Sequence, residues 1–122
     1  HSNSPRDAVA RMESLVLMTG MDLPVRVIRE QIASAIQLII QQTRFHDGSR
    51  RVTYITEVTG LEGQAITLQD IFAFQHEGID AQGRVLGRLR STGIRPTFSD
   101  LFALSGIDLA PDIFNGDNRW SR

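Results

Sequence analysis

The sequence predicts an α+β domain, and three observations carry that expectation. Two helical patterns come first; the hydrophobic period switches from helical to alternating near residue 50; and Gly- and Pro-bearing turns divide the remainder into short runs. The expected architecture is two N-terminal helices packed on a small antiparallel sheet of about three strands, followed by a short C-terminal helix. The length of 122 residues suits one core rather than two.

The first helix is signalled at Ser4-Pro5-Arg6-Asp7, where Ser4 can cap, Pro5 suits the first helical position and Asp7 can reach back as the capping acid. Ala8, Met12, Leu15 and Val16 recur at helical spacing, and Gly20 supplies the stop. A second helix is expected from about Val25 to Gln42, with Asp22 near its cap and Pro24 in its first turn. Ile28, Ile32, Ala35, Ile36 and Ile39 make its apolar face, and Val27 and Leu38 a second flank. The run RVTYITEV reads as a strand, ITLQDIFAFQ as a second and RVLGRLR as a third, with TGLEGQA and HEGIDAQG as the turns between them. TFSDLFALSG then makes the short helix and LAPDIF a closing turn. Residues 1–114 are read as one domain and 115–122 as a flexible tail.

Composition narrows the function classes. A net charge of −1 argues against a dedicated nucleic-acid binder. The absence of cysteine excludes disulfides and thiolate metal sites. No apolar run approaches the roughly 20 residues needed to cross a bilayer, so no direct membrane insertion is expected. His1, His46 and His76 stand on separate elements without an acid at metal-ligand spacing, so no metal site is expected. No nucleophile elbow appears, and Glu57 and Glu62 read as strand and turn surface rather than paired catalytic acids. Two arginine groups remain: Arg44, Arg50 and Arg51 around one loop, and Arg84, Arg88 and Arg90 on one face of the third strand. The second group is a possible basic contact strip, for an acidic neighbour, a nucleotide or a phosphate; its alternative is solvated charge guarding a sheet edge.

The stretches HSNSPRDAVARMESLVLMTGMDLPVRVIREQIASAIQLIIQQTRFHDGSRRVTYITEVTGLEGQAITLQDIF and GRLRSTGIRPTF resemble the C-terminal part of the CpaF/TadA class of secretion ATPases, which assemble Flp pili. That class belongs to the wider type II/type IV secretion superfamily, and the resemblance reaches about Phe114. It implies the C-terminal portion of a P-loop (RecA-like) ATPase domain, from a cytoplasmic homo-hexamer working against an inner-membrane platform protein. It also implies ATP and Mg²⁺ as cofactors of the parent, with His1 as its His-box histidine and Asn3 and Ser4 in the same nucleotide-proximal segment. The 122 residues contain neither Gly-x-x-x-x-Gly-Lys-Ser/Thr nor Walker B acids, both of which phosphoryl transfer needs. This chain alone is therefore expected to hold no cofactor and to be inactive, a piece cut from a larger motor just after its catalytic core. The alternatives are a stand-alone non-catalytic adaptor and the equivalent part of a type IV secretion (conjugation) traffic ATPase.

Overall fold

A computed structural model describes residues 1–116 and gives an α+β fold with the elements α1 (Pro5–Met18), α2 (Val25–Ala35), β1 (Leu38–Arg44), β2 (Arg50–Glu62), β3 (Ala65–Ile79), β4 (Val85–Ser91) and α3 (Ser99–Leu104). The last six residues of the expected tail, 117–122, lie outside the described residues. The four strands form one antiparallel sheet in chain order, β1-β2-β3-β4.

The start of α1 follows the sequence signals. The Ser4 hydroxyl accepts the Asp7 N–H at 3.0 Å, and the Asp7 carboxylate accepts the Asn3 N–H at 2.9 Å. Gly20, with φ of +76°, turns the chain out of the helix as its N–H meets the Leu17 carbonyl. At α2, Pro24 stands at the cap rather than inside the first turn, and its carbonyl takes the N–H groups of Val27 and Ile28. Asp22 makes no capping bond there.

The second helix is shorter than expected, and the sheet has four strands rather than about three. Helical geometry ends at Ala35, Ile36 turns extended (φ −106°, ψ 120°), and Leu38–Arg44 pairs along β2. The stretch is rich in β-branched isoleucine and has a ready neighbour in β2, so cross-strand pairing overrides a helical spacing that Gln37, Gln41 and Gln42 tolerate. Ile36 and Ile39 nonetheless reach the core predicted for them, which centres on Val9, Ile28, Ile32, Val58 and Ile66. Leu38 is not a helix flank: it lies on the outer strand β1 and is 41% exposed.

Polar bonds fix the helices to the sheet. Arg29 of α2 pairs with Glu13 of α1 at 3.0 Å and donates to the Gln64 carbonyl at 3.0 Å. Arg6 of α1 donates to the Ile66 carbonyl at 2.8 Å.

At its far end the sheet divides. β2 pairs with β3 only over Tyr54–Glu62, whereas Phe72–Ile79 of β3 pairs with β4. The Asp80 N–H bonds the Arg84 carbonyl, so residue 84 faces β3 and Val85 turns its main-chain groups away. Both are captured by the tip of the β1–β2 hairpin. The Val85 N–H donates to Asp47 Oδ2 at 2.7 Å, and its carbonyl accepts from Arg51 Nη2 at 2.7 Å. The Arg51 guanidinium lies 6.0 Å from the Phe45 ring centroid and 5.6 Å from that of Phe74. Phe74 in turn lies on Gly87, where an added Cβ would come within 2.6 Å of the ring and 2.4 Å of the Gln75 carbonyl.

Hydrogen bonds from the Ser49 hydroxyl, the Val85 N–H and the Ser49 N–H, with help from Arg51, hold the Asp47 carboxyl down to a pKa of about 2 from its ordinary 3.8. Its folded-state pKa is depressed, so the stability it contributes is present above pH 3.8 and is lost as pH falls toward 2. Thermal midpoints measured from pH 5 down to pH 2 should fall in that window, and Asp47→Asn should flatten that part of the curve. In the helical layer, Ile28→Ala should cost about 2–5 kcal/mol in urea unfolding. Leu38→Lys should stay within about 0.5 kcal/mol of the parent in the same measurement.

Candidate functional site

The N-terminal segment is tied down at the outer strand. The Ser2 hydroxyl donates to Gln41 Oε1 at 3.2 Å, and Gln41 Nε2 returns a bond to the Ser2 carbonyl at 2.8 Å. Gln41 is 7% exposed, a buried amide on β1 whose side chain bonds Ser2 and the Gln42 carbonyl. Ser4 and Asn3 are engaged in starting α1, through the Ser4 hydroxyl and the Asn3 N–H. His1 stays exposed at the mouth of a cleft of about 410 Å³ that Arg11, Met12, Leu15 and Met18 also line. The structure thus gathers His1, Asn3 and Ser4 at one end of α1, beside β1.

Arg84, Arg88 and Arg90 lie at the opposite edge of the sheet, and each faces a carboxylate. Arg84 pairs with Asp80 at 2.8 Å, while Arg88 and Arg90 share Glu77 Oε1 at 3.4 and 3.3 Å. The Arg84 bonds, led by its N–H to Asp80, hold that carboxyl below its usual range. Arg90 Nε is buried without a partner among the described residues. Histidine 76 is exposed on β3 opposite Gly87, far along the sheet from His1 and in a different element from exposed His46. No group of three metal-ligating side chains comes together among the described residues.

Glu57 differs most from its expected place. It reads as strand surface in the sequence, yet it is 2% exposed. Alternation sets Thr56 and Val58 toward the helices and turns Glu57 to the other face of β2. There the segment after β4 covers it. Glu57 accepts from Gln69 Nε2 at 2.7 Å, from the Thr97 N–H at 3.1 and 3.2 Å to its two oxygens, and from the Thr97 hydroxyl. Four neutral contacts stand where a buried carboxylate more often meets a cation. Beyond this anchor, Arg95 donates to the Ser99 hydroxyl at 2.9 Å and lies 5.8 Å from the Phe114 ring centroid; Phe114 packs on Phe72. A signal for this burial is present in the sequence. Apolar residues occupy both parities of β2 (Val52, Tyr54 and Val58 against Ile55), the mark of a strand covered on both faces.

A second cleft, of about 480 Å³, opens between Arg6, Glu13, Arg29 and Gln64, with Val9 and Ile66 at its base. Its cations are spent on Glu13 and on main-chain carbonyls of the β2–β3 turn and β3, so it serves to join layers. No helix is long and apolar enough to cross a membrane among the described residues.

Fold and contacts together define a two-helix layer on a meandering sheet, with buried polar anchors at both ends and no assembled catalytic constellation among the described residues. No family model matches the chain. Two relatives from Mycobacterium tuberculosis share 34% identity over 70 residues. Each bears the name "Putative conjugal transfer protein": MT3759 in strain CDC 1551 / Oshkosh and Rv3659c in strain ATCC 25618 / H37Rv. The match takes in 56% of this chain and 19% of each relative, so the chain spans about a fifth of their length.

Replacing Glu57 by Ala would leave the Thr97 N–H and the Gln69 amide buried without an acceptor. The expected cost is about 2–4 kcal/mol in urea unfolding. Hydrogen exchange should quicken first in residues 95–99, before the α1–α2 layer responds.

Proposed function

We propose that this chain is the C-terminal subdomain of a hexameric secretion ATPase that turns ATP hydrolysis into substrate movement at the inner membrane. The single observation behind this reading is the 70-residue similarity to the two conjugal transfer proteins. The resemblance of the HSNS and TYITEVTGLEG stretches to secretion ATPases agrees with it. The name of those relatives favours a conjugal-transfer system, and the hairpin sequence favours Flp pilus assembly; fold and mechanism are shared between the two.

On this reading the 122 residues are a coupling body. The parent supplies nucleotide and Mg²⁺ binding from a P-loop and Walker B strand that these residues do not contain. His1, Asn3 and Ser4 then sit on the nucleotide side, at the start of α1, and movement of that segment is passed through Gln41 to β1 and through α1 to the core. The remaining surfaces face the next subunit and the membrane platform in the cytoplasm.

The test is ATP turnover measured twice, as phosphate release in Mg²⁺. The 122-residue chain alone should match the blank. The longer gene product that contains it should hydrolyse ATP and lose that activity when the P-loop lysine is replaced by alanine. A longer product without a P-loop would leave a non-catalytic adaptor and remove the motor reading.

A further inference from the structure

The structure sorts the six arginines of the two basic groups, and the sorting points to a site. Arg84 is paired with Asp80, and Arg88 and Arg90 share Glu77. Arg51 is turned inward and committed to main-chain carbonyls of β4. Of these six, only Arg44 and Arg50 are exposed and without an ion pair among the described residues.

These two are directly opposite each other at the end of the β1–β2 ladder. Directly opposed side chains of an antiparallel pair emerge on the same face with Cβ atoms about 5 Å apart, and two like charges there repel. Alternation sets Arg51 and its partner Thr43 on the other face, so the Phe45–Arg51–Phe74 cluster offers Arg44 and Arg50 no relief. The one carboxylate of the loop between them, Asp47, is held by Ser49 and Val85. An unneutralised arginine pair in fixed register is an arrangement that an external oxyanion would relieve. Two planar guanidinium forks suit a tetrahedral phosphate better than a single planar carboxylate.

We propose that Arg44 and Arg50 form a phosphate-binding site at the tip of the β1–β2 hairpin, one that takes the phosphate group of a small molecule or of a lipid headgroup. The inference stands independently of the motor reading, because it uses only this hairpin.

The test uses the whole 122-residue chain, followed residue by residue by NMR at low ionic strength, where exposed charge pairs are least screened. Tripolyphosphate is the soluble probe, and vesicles of phosphatidylglycerol in phosphatidylcholine, read by co-sedimentation, are the membrane probe. Saturable shifts centred on residues 44–50 with tripolyphosphate indicate a small-molecule site, and sedimentation with the anionic vesicles alone indicates a headgroup site. In either case the doubly substituted chain, Arg44→Gln with Arg50→Gln, should bind about tenfold or more weakly, while Arg88→Gln should bind as the parent does. The thermal midpoint of the double variant should be equal to or above that of the parent, since a repulsion is removed, which separates loss of the site from loss of the fold. Binding that the double variant retains, shifts centred on residues 84–90, or no saturable response to either probe would overturn the proposal.

Discussion

Both main-chain groups of one residue, Val85, are held by side chains from the tip of a distant hairpin, and the shape of the sheet depends on that grip. A four-stranded antiparallel meander has two open edges, and each is a liability unless something covers it. Here β4 begins with its outward N–H in Asp47 and its outward carbonyl in Arg51, while Val85 itself is 1% exposed. The grip requires the first residues of β2 to stand over β4, and so requires β3 to leave β2 after Ala73 and carry on with β4 alone. Gly87 completes the arrangement by leaving room for the Phe74 ring that supports the Arg51 guanidinium. A charged pair is used here for its direction: each member addresses a main-chain group of opposite need, and the two charges compensate each other across the hairpin.

The middle of the sheet obeys a different constraint. Its helix-facing side is conventional apolar packing of Val58 and Ile66 against Val9, Ile28 and Ile32. On its other side the segment after β4 is docked by a buried carboxylate as well as by the packing of Phe114 on Phe72. Hydrogen bonds to Glu57 fix the position of Thr97 more narrowly than apolar contact would, because a missing donor leaves a desolvated charge rather than a small void.

Much of this fold is legible in the sequence where local chemistry decides. Ser4, Pro5 and Asp7 announce α1, and Gly20 announces its end; the turn residues around Gly63 and Gly83 separate the later strands. The reading fails at Leu38–Arg44, where a helical spacing of isoleucines meets a strand partner some fifteen residues away, and only the pairing decides. It fails again at Glu57, because a carboxylate on a strand looks like surface until the covering segment, forty residues downstream, is in place. The site residues divide likewise. That Arg84, Arg88 and Arg90 share one face is visible in the spacing, and the Arg84–Asp80 pair is local to the turn, whereas the pairing of Arg88 and Arg90 with Glu77 depends on the register of β3 with β4. The grouping of His1, Asn3 and Ser4 is local, whereas the attachment of their neighbour Ser2 to Gln41 is not.

The chain-order sheet also dictates a sequence of assembly. Every strand pair is a hairpin between neighbours in the chain, so each can close over a short loop at small entropic cost. The contacts from Asp47 to Val85 and from Glu57 to Thr97 span 38 and 40 residues and make sense only after those hairpins exist. They belong to the last stage of folding, the locking of a sheet already formed. During synthesis the β1–β2 and β2–β3 hairpins can thus close first, and the two bolts engage only once β4 and the segment up to Thr97 have followed.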